Sequence, residues 1–169
     1  PEDTLQESIV HQRKALMGLL REPMRRLAEN CARVWGNRQE LNTVLAATLE
    51  RLPYCKHLYV VDNRYVQISD NVAHGGLLEG YGRDRSERPY VQGVAPGAAL
   101  MLSDAYISLK ERRPSLTALQ VVRDDTGKVL GYIGAYFGLR DLPLTRTLYV
   151  EPRHWRQIKG DPSIRGTVF

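Results

Sequence analysis

Apolar residues in the first third of the chain recur at helical spacing. Leu5, Ile9, Leu16, Leu20, Leu27, Cys31 and Val34 follow one another by steps of three, four and seven, with Leu19 and Met24 filling between. Such steps place one apolar stripe along a helix, and they predict a helix over residues 4–35. Pro23 is expected to kink that helix or to start a new segment, because proline lacks the N–H that an interior turn needs. A solitary helix of this length cannot bury its stripe in itself. It needs the domain's own sheet, a partner helix, or both. Gly36 stops it. Asn37 followed by Glu40 has the spacing of a capping box, although Ser or Thr is the preferred cap. Leu41, Val44, Leu45, Thr48, Leu49 and Leu52 then share one face of a second helix over 38–52, closed by Pro53.

From there the period falls to two. His57 to Val61 reads as a strand, Asp62-Asn63 as a tight turn and Tyr65 to Ser69 as the hairpin partner. A long loop carrying Gly75, Gly76, Gly80 and Gly82 follows, with a short helix expected over Glu87 to Val94 and a break at Pro96-Gly97. Three longer strands are expected over Leu100 to Leu109, Leu116 to Arg123 and Val129 to Leu139. Asp124-Asp125-Thr126-Gly127 forms the turn between the last two. The sheet thus occupies 57–139. Helices followed by a run of antiparallel strands indicate an α+β domain with helices on one face of the sheet. Residues 1–142 are read as one domain. Residues 143–169, rich in Pro and Arg, are read as a C-terminal extension or linker.

Composition narrows the class of function. A chain of 169 residues, 43% hydrophobic and 25% charged, suits one globular domain. The net charge of +5 comes from scattered arginines without a basic run, so nucleic acid is not the expected partner. Cys31 and Cys55 fit no zinc pattern, which leaves either one bridge or two buried free thiols. His11, His57, His74 and His154 are far apart and lack metal-ligand spacing. No apolar run approaches the length of a membrane helix, and no signal-peptide pattern opens the chain. No nucleophile lies beside a plausible base and no phosphate loop is present. No enzyme activity, metal or cofactor is expected.

The chemistry concentrates in Gly82-Arg-Asp-Arg-Ser-Glu-Arg-Pro-Tyr-Val91, where Arg83, Arg85 and Arg88 are interleaved with Asp84 and Glu87. A guanidinium beside a phenol suits a small carboxylate, by a planar fork of donors and a ring to pack on. Strand alternation supplies the rest. Leu102, Asp104, Tyr106 and Ser108 are expected on one face of the third strand, and Tyr132, Gly134, Tyr136 and Gly138 on one face of the last. Glycines alternating with tyrosines leave space over the sheet and line it with phenols. Either this face is a pocket under the arginine-bearing loop, or it is a wet exposed surface with tyrosines as strand formers.

These motifs resemble those of the PAS-like sensor domains known as Cache or PDC domains. The resemblance rests on Leu58-Tyr-Val-Val-Asp62, Gly82-Arg-Asp-Arg-Ser-Glu-Arg-Pro-Tyr90, Leu102-Ser-Asp-Ala-Tyr-Ile-Ser108 and Val129-Leu-Gly-Tyr-Ile-Gly-Ala135, in that order. It covers about residues 4–142. It implies a five-stranded antiparallel sheet, a long N-terminal helix used for dimerisation, and a small-ligand pocket reporting to an output module or a partner signalling protein. Carried over, Arg88 and Tyr90 match the positions that hold a ligand carboxylate, and Asp104 matches an acid that helps hold an ammonium group. A further aromatic usually follows, where this chain has Val91. A second acid usually sits near the end of the last strand, where this chain has Tyr136. Losing one of two anionic partners weakens amine binding by a few kcal/mol, so a small organic acid or related metabolite is expected instead.

The ligand-binding candidates are Arg88, Tyr90, Asp104, Tyr106, Tyr132, Tyr136 and Arg83. Arg83, with Arg85, Asp84 and Glu87, also suits shaping the loop by mutual pairing. The other reading is a dimerisation or interaction module of a signalling protein that binds nothing small. The resemblance implies an extracytoplasmic place for a domain excised from a membrane receptor and a cytoplasmic one for a stand-alone relative.

Overall fold

The computed structural model describes residues 2–52, 54–87, 97–103, 106–107, 114–138 and 141–142, with the backbone alone for 2–6, 8–9, 106–107 and 114. Helix α1 spans Glu2–Arg33 and α2 spans Arg38–Leu49. The stripe is real: Leu16, Leu20, Met24, Leu27 and Cys31 are buried against the sheet. Pro23 lies inside α1, which continues through it, so no new segment starts there. The carbonyl that loses its partner belongs to Leu19, a half-exposed residue whose backbone water can serve. Gly36, at φ 91°, ends the helix in the left-handed region open to glycine. The Asn37 side chain caps α2 by accepting the Glu40 N–H at 3.0 Å.

Among the described residues seven strand segments follow: β1 His57–Asp62, β2 Asn71–Ala73, β3 Gly76–Leu78, β4 Leu100–Leu102, β5 Tyr106–Ile107, β6 Pro114–Arg123 and β7 Val129–Gly138. They form one antiparallel sheet in the order β3-β2-β1-β7-β6-β4, with β5 also on β6. The α+β class stands, and the sheet is one strand wider than expected because the glycine-rich loop supplies a hairpin at His74-Gly75. The expected partner strand Tyr65 to Ser69 pairs with β1 only through isolated bonds, such as Ile68 N–H to the Val60 carbonyl at 2.9 Å. Ser69 interrupts the ladder. Its Oγ accepts the Val60 N–H at 2.8 Å, so regular pairing resumes only at Asn71.

The sheet has two chemically different faces. Leu58, Val60, Val72, Leu116, Ala118, Val122, Ile133, Ala135 and Phe137 face the helices and form the core with them. His57, Tyr59 and Val61 of β1, Ser115, Thr117, Leu119 and Val121 of β6, and Tyr132, Gly134, Tyr136 and Gly138 of β7 have the opposite parity. They build the second face.

The edge strand departs from its expected alternation. Leu102 is in register with Ala118, and Tyr106 with Ser115. Four steps on one strand therefore meet three on the other. Leu102 packs on the helix-side core, while Ser115 belongs to the second face. Leu102 and Tyr106 do not share a face, because an extra residue reverses the alternation between them. Asp104 and Ser108 lie outside the described residues.

Candidate ligand site

The second face is buried although it carries many polar groups. Ser115 is 0%, Thr117 2% and Tyr136 7% exposed. The Tyr136 phenol and the Ser115 hydroxyl share a hydrogen bond of 2.6 Å, and the His57 ring stacks on Tyr136 at 4.7 Å between centroids and 11° between planes. Tyr136 is thus held on both its edge and its face. Register places Tyr136 between His57 and Thr117 in the middle of the sheet. Tyr132 lies four residues away along β7. It stacks at 4.9 Å and 8° on Tyr65, whose φ of 67° puts it in a region side chains rarely adopt. The pair shares a hydrogen bond, and burial raises the Tyr65 phenol pKa well above its ordinary value, with that bond adding to the rise. Tyr132 therefore meets the hairpin turn rather than Tyr136.

The space expected above Gly134 is filled. A Cβ at Gly134 would fall 2.2 Å from Tyr59 Cζ and 2.5 Å from its phenol oxygen, so the ring of Tyr59 lies across the glycine. The Arg85 guanidinium covers that ring, 3.9 Å from its centroid. Arg85 is buried and donates from Nε to Gln67 Oε1 at 2.7 Å and from an Nη to Asn71 Oδ1 at 3.3 Å. Gln67 in turn donates to the Ser69 carbonyl at 2.9 Å, and Asn71 to the Glu79 carbonyl at 2.8 Å. Gly80 presses on both amides: a Cβ there would meet Gln67 Nε2 at 2.6 Å and Asn71 Nδ2 at 2.7 Å.

This cluster corrects the expected role of Arg85. It turns inward to neutral amides and a π face, while Asp84 accepts the Ser86 N–H at 2.9 Å and closes a local turn. Its position is set by backbone pairing, since Arg85 N–H bonds the Tyr65 carbonyl and Gln67 N–H bonds the Arg83 carbonyl, both at 2.8 Å. The Arg83 side chain is exposed. Arg88, Tyr90, the short helix expected over Glu87 to Val94 and the extension 143–169 lie outside the described residues, apart from Glu87 itself. Tyr106 is known by backbone register alone.

Three further polar contacts lie outside this cluster. Arg13 of α1 donates to the carbonyls of Ser103 and Leu102 at 2.9 and 3.0 Å, where β4 ends. On α2, Arg38 and Asn42 hold Asp70 at 2.7 and 2.6 Å, and Arg38 lies 4.0 Å over the Tyr81 ring. Lys56 and Asp141 pair at 3.5 Å beside Gly138 at the end of β7. Cys31 and Cys55 are both buried and free, and burial pushes each thiol up to about 12. Among the described residues no cluster of ligating side chains could hold a metal ion, and no helix is long and apolar enough to cross a membrane.

Neither a scan against protein-family models nor a search of the curated proteins finds a match. Solved structures do match. The chain is similar to the sensory domain of the chemoreceptor Tlp3 of Campylobacter jejuni, solved with isoleucine bound, at 13% identity and a TM-score of 0.64 over 86% of this chain and 59% of that one. An extracellular ligand binding receptor from Desulfohalobium retbaense gives 14% and 0.61 over 88% of this chain and 27% of that one. The ligand-binding domain of the chemoreceptor CtaA of Pseudomonas fluorescens, in complex with L-serine, gives 15% and 0.58 over 90% and 62%. The fold is that of these sensory domains. The chain spans less than two thirds of each of these three structures.

Proposed function

We propose that this chain is a small-molecule sensing domain of a signalling protein, with its ligand held between the second face of the sheet and the loop around residues 72–98. The observation that carries the reading is the buried polar floor of Tyr136, Ser115 and Thr117. A domain needing only a second hydrophobic core would place Val, Ile or Leu there. The neighbours in fold are named with isoleucine and serine, so a carboxylate is common to the molecules they hold. Arg88 and Tyr90 are assigned to that carboxylate, Asp104, Tyr106, Tyr136 and Tyr132 to the walls, and Arg83 to the rim. Tyr136 is engaged with Ser115 and His57, so the floor at this point offers a phenol rather than an anion. That supports an organic acid over an amine. Val10 and Leu19 of α1, both about half exposed, suit a homodimer through that helix.

The test is a thermal-shift screen of small mono- and dicarboxylates against the chain and its Arg88→Ala variant. A ligand at 100 times its Kd stabilises by about 2.7 kcal/mol. Loss of the shift in Arg88→Ala supports the assignment. An acid that binds both proteins equally removes Arg88 from the site, and a screen in which amines alone bind overturns the ligand class.

A further inference from the structure

We infer that Tyr59 sets the length of ligand this domain accepts, an inference that rests on the second face being the ligand site. Glycine at 134 leaves a notch in the middle of that face, beside Tyr136. In register, Tyr59, Gly134 and Leu119 form one row across β1, β7 and β6, and His57, Tyr136 and Thr117 form the next. A ligand lying on Tyr136 and Thr117 would extend naturally over Gly134. Tyr59 forecloses this. Its ring occupies the notch so closely that a single added carbon at Gly134 would fall 2.2 Å from it.

Nor is the ring free to swing out. It is 2% exposed, Arg85 lies on its outer side at 3.9 Å, and Arg85 is itself tied to Gln67 and Asn71. Gly80 has no Cβ, and its backbone closes on those two amides from beyond. From the sheet outward the order is glycine, phenol, guanidinium and amides, and four layers of matter stand where a chain of methylenes could lie. On the other side His57 bridges the plug to the floor, its ring centroid 6.2 Å from Tyr59 and 4.7 Å from Tyr136. The wall is therefore continuous with the floor, and the plug closes the β1 side of the face.

The residue is a specificity determinant in a physical sense. A pocket wall discriminates chain length because each methylene that cannot be seated must displace packed atoms or remain in water. Neither ordinary amino-acid preference nor charge enters. Tyr59→Ala would vacate the notch, and Gly134 would then present bare backbone beneath it.

The experiment titrates straight-chain alkanoates from acetate to octanoate into the full chain and into Tyr59→Ala, Tyr59→Leu and Tyr59→Phe, with phenol added separately as a filler of the vacated notch. Wild type and Tyr59→Phe should prefer the same short member. Tyr59→Ala and Tyr59→Leu should shift the preference about two carbons longer and gain about tenfold for those longer acids. Phenol should raise the melting temperature of Tyr59→Ala and leave wild type unchanged. Tyr59→Leu keeps the test alive should Tyr59→Ala not fold. An alkanoate that binds every protein with the same length preference overturns the inference. So does the absence of both alkanoate binding and phenol rescue. Phenol rescue without alkanoate binding by any protein upholds Tyr59 as the wall and sinks the carboxylate reading instead.

Discussion

Gly134→Ala isolates the packing of the plug in one atom. The new Cβ would meet Tyr59 Cζ at 2.2 Å, the phenol oxygen at 2.5 Å and Cε2 at 2.6 Å, whereas carbon atoms in contact sit at about 3.5–4.0 Å. The ring must therefore retreat by more than about 1 Å. Arg85, stacked on its far side and bonded to Gln67 at 2.7 Å, resists that retreat. Overpacking of this kind costs about 1–3 kcal/mol. Replacing glycine inside a strand returns about 0.5–1 kcal/mol through lower unfolded-state entropy. The expected net loss is about 1–2 kcal/mol, read by urea denaturation with an unchanged slope. In a Tyr59→Ala background the same Cβ enters vacated space, and the substitution should stabilise by about 0.5–1 kcal/mol. The coupling between the two sites is then about 1.5–3 kcal/mol, within the range for residues in direct contact. If Gly134→Ala is neutral in the wild type, or costs the same in both backgrounds, Tyr59 does not fill the notch.

Asp70 should impose an acid limit on stability. Its carboxyl is held below the usual range, first by the hydrogen bond from Arg38, so its contribution is fully present above the unfolded carboxyl value and is lost as pH falls through the folded one. Asp70→Asn should flatten that acid limb in melts followed from pH 6 down to about 2, and an unaltered limb would clear Asp70. Cys31 and Cys55, with thiols raised to about 12, should resist Ellman's reagent at pH 8 until the chain is unfolded; prompt reaction in native buffer would contradict their burial. Arg13→Gln should lose the two charge-assisted bonds to Leu102 and Ser103, about 1–3 kcal/mol in all. Hydrogen exchange should then speed at the Ser103 amide, bonded to Thr117, more than at the Val121 amide.

Periodicity made the helices legible. The α1 stripe, Gly36 and the Asn37 cap are local signals, each acting within a few residues, and each is where the spacing puts it. Spacing left open whether Pro23 would bend the helix or restart it, because its penalty depends on whether water reaches the freed carbonyl, which is a property of tertiary placement. The parity of β7 correctly joined Tyr132, Gly134 and Tyr136 on one face. Parity is silent, however, on what stands opposite. Tyr59 falls across Gly134 through the pairing register of β1 and β7, and Tyr132 is drawn to Tyr65 by a turn whose conformation was unreadable. Arg85 was expected to meet its charged neighbours. Backbone bonds from Tyr65 and Arg83 instead turn it inward to amides 14 and 18 residues away. One cue was available: on β1, His57, Tyr59 and Val61 alternate with the apolar core positions Leu58 and Val60, so a large phenol had to lie on the glycine-bearing face.

The extra residue between Leu102 and Tyr106 works as a reading-frame change within the edge strand. Upstream of it, even positions lie on the helix side, as Leu102 does; downstream they lie on the second face, as the register of Tyr106 with Ser115 places them. A single-residue deletion between Ser103 and Tyr106 would make the step counts equal and leave Tyr106 opposite Ser115. Substitutions in that stretch change one side chain. Were the present length paired step for step from Leu102, Tyr106 would meet Pro114 and everything downstream would change sides, so here the count of residues matters more than their kind.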